Sequence, residues 1–127
     1  MDLKIFAHTF FTDDLPAVRE FYPKVFGCRP IHSDEVSVVY NFGGLLINIL
    51  DITDARNLVA PAVASLPASG PNAMLTVQVE NVDTEVERLA GLGVALNNGP
   101  INQPWGIRAI TFFDPTGTLW EFSQPLA

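Results

Sequence analysis

The sequence predicts an α+β fold made of two βαβββ modules, whose strands form a curved mixed sheet around a cleft. Three observations carry this reading: an internal repeat at nearly constant offset, the same order of strand and helix patterns in both halves, and strong turn signals. Thr12-Asp13-Asp14-Leu15 matches Val79-Glu80-Asn81-Val82, 67 residues later, and Gly27 matches Gly93, 66 residues later. The 127 residues suit a single domain, 1–127, with module one at about 4–50, a connecting segment at about 51–72 and module two at about 73–124.

Module one opens with an apolar stretch, Lys4 to Thr12, predicted as a strand. Asp13 or Asp14 caps the helix that follows, and Pro16 suits its first turn. Val18, Phe21, Tyr22 and Val25 recur at helical spacing, and Gly27 ends the helix. Pro23 removes an amide and is expected to kink or split that helix. Three strands are then predicted, Cys28 to Ser33, Val36 to Phe42 and Leu45 to Leu50, the last two joined by a Gly43-Gly44 turn. The Ala- and Pro-rich connecting segment has room for one short helix.

Module two repeats the order. Met74 to Val79 alternates as a strand does. Asn81 or Asp83 caps a helix carrying Val82, Val86, Leu89 and Ala90, ended by Gly93. Val94 to Leu96, Ile107 to Phe113 and Leu119 to Gln124 read as strands, and Asp114-Pro115-Thr116-Gly117 is a turn.

Composition narrows the function classes. Nearly half the residues are hydrophobic (48%), nine of them Phe, so an ordered core is expected. The net charge of −7 repels phosphate backbones and argues against a nucleic-acid partner. No apolar run reaches the roughly 20 residues of a membrane span. Cys28 is the sole cysteine, and the start, Met1-Asp2-Leu3-Lys4, lacks the pattern of a signal segment. A cytoplasmic protein without a membrane partner is expected.

The motifs carry a resemblance. Asp14-Leu15, Phe21-Tyr22 and Gly27 in module one resemble a signature of the vicinal-oxygen-chelate (glyoxalase, bleomycin-resistance, dioxygenase) superfamily. So do Gly99-Pro100, Trp105-Gly106-Ile107-Arg108 and Asp114-Pro115-Thr116-Gly117 with Glu121 in module two. The likeness spans residues 4 to 124, and the Trp-Gly form most resembles the superfamily's metal-free, antibiotic-binding resistance proteins. Enzymes of the superfamily hold a metal through one residue on the first and one on the last strand of each module. On this chain those positions map to Ala7, Asn48, Met74 and Glu121. Ala offers no donor, Asn is weak and Met is soft, so neither a metal nor another cofactor is expected. Glu121 and His8 remain weak metal candidates. Strand alternation turns His8 toward the helices unless a bulge reverses it.

The candidate ligand site follows from the resemblance and from strand phase. By resemblance Trp105 lies at the cleft rim, where an indole stacks on a flat ligand or covers a cation; a core Trp is the alternative. Glu121 needs a partner, either Arg108 or a cationic ligand. By phase, Leu46 and Leu50 accompany Asn48, Leu119 accompanies Glu121, and Thr76 accompanies Met74. Tyr40, Phe42 and Phe112 either line the pocket or pack the sheet. Trp120 belongs to the core, His32 reads as a solvated histidine, and Cys28 as a small buried hydrophobe.

The leading expectation is metal-free binding and sequestration of an aromatic or cationic small molecule, as in antibiotic resistance, by a protein paired as a homodimer. The alternative is a metal-dependent glyoxalase-like lyase, isomerase or dioxygenase of the same superfamily, using one divalent metal. A third is an interaction domain whose cleft is filled by its own Phe side chains.

Overall fold

The computed structural model describes residues 2–127. The chain divides into two compact units, Met1–Ala68 and Ser69–Ala127. Each carries its own four-stranded mixed sheet, which gives the α+β class and the two βαβββ modules.

In the first unit β1 (Ala7–Thr12) leads into α1 (Leu15–Phe26), followed by β2 (His32–Ser33), β3 (Ser37–Phe42), β4 (Leu45–Asp51) and α2 (Ile52–Val59). The sheet order is β1-β4-β3-β2, with β1 parallel to β4 and the other neighbours antiparallel. Of the two possible caps, Asp14 serves, its carboxylate accepting the Ala17 amide. Gly27 closes α1 in the left-handed region at φ 63°, where only glycine is unstrained. Pro23 does not split the helix. It sits in the last turn, so only three helical residues follow it, and its carbonyl accepts the Gly27 amide at 3.0 Å.

The second predicted strand is corrected. Only His32–Ser33 pairs, because Pro30 has no amide for a ladder. The connecting segment does contain its short helix, α2, with Asp51 as cap and Ala55 buried.

In the second unit β5 (Met74–Gln78), α3 (Val82–Gly91), β6 (Asn98–Gln103), β7 (Ile107–Phe113) and β8 (Leu119–Pro125) follow. The order β5-β8-β7-β6, with β5 parallel to β8, repeats the first unit. Asn81 caps α3 through Thr84. The predicted strand at Val94 to Leu96 is also corrected. The Val94 amide bonds back to Leu89 of α3, holding that stretch to the helix end, and pairing begins at Asn98. There β6, an edge strand, takes a bulge that accommodates Gly99-Pro100. Gly99 has φ 95°, and a Cβ on it would run into the carbonyl oxygen of Ala109.

The cores are aromatic. In the first unit Tyr22 of α1 stacks on Tyr40 of β3 (ring centroids 4.9 Å, planes 14° apart), and Phe26 meets Phe42 edge-on at 5.2 Å. In the second, Trp120, Phe112 and Phe122 are buried, with Phe112 edge-on to Phe122. Trp120 donates its indole N–H to Asp114 Oδ2 at 3.0 Å, while Asp114 Oδ1 accepts the Thr116 amide and hydroxyl. This locks the predicted 114–117 turn. No helix among the described residues is long and apolar enough to cross a membrane.

Candidate functional site

Strand register decides which residues share a face. In the first unit His8, Phe10, Val38, Tyr40, Ile47 and Ile49 form the helix-covered face, since Tyr40 stacks on Tyr22 and pairs across strands with Ile47. The opposite face carries Thr9, Leu46, Asn48 and Leu50. In the second unit Ile110, Phe112, Trp120 and Phe122 face the core, and Met74, Thr76, Thr111, Phe113, Leu119 and Glu121 share the other face.

Several expected site residues therefore move. Tyr40 is fully buried under α1, which pushes its phenol up to about 12. Phe42 packs against Phe26 and Tyr22, and Phe112 is fully buried beside Phe122. All three pack the sheets' core faces rather than line a ligand surface. Alternation groups the residues of a strand by face but left open which face the helices cover. His8 lies on the helix-covered face, its ring 4.5 Å from that of Phe10, and points away from Asn48.

Arg108 is also corrected. Its guanidinium makes a two-pronged contact with Asp83 at the start of α3 (2.8 and 3.1 Å) and donates to Asn102 Oδ1 at 3.0 Å. Asp83 is thereby held below the usual carboxylate range and Arg108 above its own. Arg108 ties the β6–β7 hairpin to the helix and is no partner for Glu121. His32 is exposed but not merely solvated: its Nε2 lies 2.9 Å from Asp34 Oδ2, a neighbour two residues on. Cys28 is half-buried, its thiol pushed up by burial.

The remaining expected residues gather by unit. In the first, Leu46, Asn48 and Leu50 share the open face, and the Asn48 amide donates to Thr9 Oγ1 at 3.4 Å. In the second, the Thr76 hydroxyl donates to Glu121 Oε1 at 3.0 Å. Thr9 faces Asn48 in the β1–β4 register as Thr76 faces Glu121 in the β5–β8 register. The repeat thus extends to the polar pair between the first and last strands of each module. Met74, Leu119 and Phe113 form an apolar row beside Glu121. Trp105 stands in the β6–β7 turn with 68% of its surface exposed, so it is not a core residue.

Sequence reading missed Thr9, Thr111 and Asn97. Thr111 is directly opposite Glu121 on β7, and its hydroxyl accepts a hydrogen bond from Asn97 Nδ2 at 3.0 Å. The signal was available: Thr111 lies one residue from each of Ile110 and Phe112, and alternation puts it on the other face.

Among the described residues Glu121 has no cationic partner; its one side-chain contact is with Thr76. Neither unit offers a metal enough donors at the positions the resemblance implies. In the first, Ala7 has none and the Asn48 amide is weak; in the second, Met74 offers a soft thioether beside one hard carboxylate, Glu121, where a catalytic ion takes about three strong protein ligands. Among the described residues no cluster of three His, Cys, Asp or Glu side chains is placed to hold an ion.

Comparison with known proteins sets this geometry in a family. A glyoxalase/bleomycin resistance protein/dioxygenase from Nocardioides is 28% identical and superimposes with a TM-score of 0.85, over 99% of this chain and 85% of that one. A glyoxalase-related enzyme from Fulvimarina pelagi, 24% identical, gives a TM-score of 0.81 over 95% of this chain and 87% of that one. A lactoylglutathione lyase from Agrobacterium tumefaciens, 19% identical, gives 0.78 over 98% and 95%, a likeness of fold. The sequence profile of one family matches residues 5–122, and the chain belongs to it: the Glyoxalase/Bleomycin resistance protein/Dioxygenase superfamily.

Proposed function

We propose that this protein binds an organic cation through Glu121 without a metal, and that its use is sequestration of a cationic or aromatic natural product, as in antibiotic resistance. One observation carries the reading: Glu121 is a partly buried carboxylate whose expected internal partner, Arg108, is committed to Asp83 and Asn102. A half-buried charge without a counter-charge gains most from a cation that supplies one. The apolar row Met74, Leu119 and Phe113 lies alongside, with Met74 45% and Phe113 41% exposed, and it gives the rest of such a ligand a surface to cover. The net charge of −7 favours the approach of cations. The donor set at Ala7, Asn48, Met74 and Glu121 speaks against the metal-dependent lyase, isomerase or dioxygenase alternative.

The test is calorimetric titration with phenethylamine, which is a cation at neutral pH, and with neutral phenylpropanol. The amine binds more tightly, and Glu121→Gln, which keeps shape and the Thr76 contact, reduces its affinity about tenfold or more. Equal binding of amine and alcohol, or an unchanged affinity in Glu121→Gln, overturns the proposal.

A further inference from the structure

The hydrogen-bonding capacity left open around Glu121 specifies more than a positive charge. Three polar side chains lie in one row across the second sheet: Thr76 on β5, Glu121 on β8 and Thr111 on β7, each directly opposite the next in register. Neighbouring strands are about 4.8 Å apart, so one small ligand reaches two adjacent members of the row. Their existing bonds differ. Thr76 spends its proton on Glu121 Oε1. Among the described residues the second carboxylate oxygen, Oε2, accepts no hydrogen bond and is open to a donor. Thr111 is the reverse case: its oxygen already accepts from Asn97 Nδ2, and its own proton has no acceptor among the described residues.

The row therefore presents an open acceptor, Glu121 Oε2, beside an open donor, the Thr111 hydroxyl. A ligand that satisfies both carries a charged donor and, within a few bonds, a neutral acceptor. From this we infer that the ligand class is a protonated amine with a hydroxyl or carbonyl oxygen on the adjacent carbon or the one beyond, an amino-alcohol type of group, attached to an apolar body. The ammonium donates to Glu121, the oxygen accepts from Thr111, and the apolar body covers Met74, Leu119 and Phe113. A quaternary ammonium, which has no N–H, loses the first of these bonds. This inference rests on the proposed role of Glu121 as the cation's partner and adds Thr111 as the residue that selects among amines.

The experiment compares phenylalaninol, which has an ammonium next to a hydroxymethyl group, with phenethylamine, which lacks the hydroxymethyl, by calorimetry on the full chain. Phenylalaninol binds about fivefold to tenfold more tightly, the worth of one added hydrogen bond. Thr111→Val abolishes that preference, while Thr111→Ser retains it. Asn97→Asp, at an exposed position, gives Thr111 a competing acceptor and also abolishes the preference, which keeps the test valid if Thr111→Val fails to fold. Equal affinities for the two amines in the wild-type chain, or a preference that survives both Thr111→Val and Asn97→Asp, overturns the inference. In that event phenethylamine binding that still depends on Glu121 leaves the cation reading standing. Amine affinities indifferent to Glu121→Gln overturn both.

Discussion

The Thr76 hydroxyl donates to Glu121 Oε1 at 3.0 Å, and the two residues face each other where the first and last strands of module two run parallel. Module one holds the corresponding contact between Asn48 and Thr9. The repeat thus keeps the position and changes the charge, with an amide in one sheet and a carboxylate in the other. Only the carboxylate attracts a cation strongly, which is why the proposed cation site lies in the second module.

Arg108 separates the two readings of Glu121. Because its guanidinium is held by Asp83 and Asn102, Arg108→Ala leaves amine affinity unchanged while loosening the β6–β7 hairpin from α3. The pair is partly exposed, so the expected loss of stability is small, checked by urea denaturation. A large gain in amine affinity would instead show that Arg108 competes for Glu121.

Trp105 is mostly exposed in the β6–β7 turn, so Trp105→Ala should change stability by no more than about 0.5 kcal/mol. Trp120, the other indole, is buried on Asp114. Ligand-induced quenching of tryptophan emission is therefore expected to disappear in Trp105→Ala. Quenching that persists places the ligand away from this turn.

Tyr40 is a core residue, and Tyr40→Ala should cost about 3–5 kcal/mol through the lost stack on Tyr22. Its phenol is raised by burial from 10.0 to about 12, so folding favours the neutral form. The contribution is complete below about pH 10 and is lost as pH rises toward 12. Tyr40→Phe is expected to flatten that alkaline decline, measured by denaturant midpoints across the range.

Asp34 organises the turn between β2 and β3. Its Oδ1 accepts from Val36, Ser37 and the Ser37 hydroxyl, its Oδ2 meets His32, and Arg19 of α1 donates to the Asp34 carbonyl and to Ser33. The contact with His32, followed by the amide of Val36, holds the carboxylate well below the usual range. A depressed acid stabilises the fold above its ordinary pKa, near 3.8, and loses that contribution as pH falls through the folded value. Protection of the Val36 and Ser37 amides, relative to their intrinsic exchange rates, should fall as the solution is acidified below about pH 4. Asp34→Asn should show the lowered protection already at neutral pH.

The sequence alone determined the module repeat, the helices with two candidate caps each and most of the strands, because these depend on spacing and on residue type; the structure chose Asp14 and Asn81 as the caps. The sequence also placed Leu46, Asn48, Leu50, Met74, Thr76, Leu119 and Glu121 in their shared phases, since residues two apart on one strand share a face. Tertiary structure decided what lies beyond one strand's phase. The stacking of Tyr22 on Tyr40 fixed which face of β3 is the core, and the register of β7 against β8 put Thr111 rather than Phe112 opposite its open face. Asp83 claimed Arg108 across 25 residues of chain. Alternation tells which residues share a face, but only the element that packs against a strand tells which face is covered, and only folding brings a distant carboxylate to an arginine.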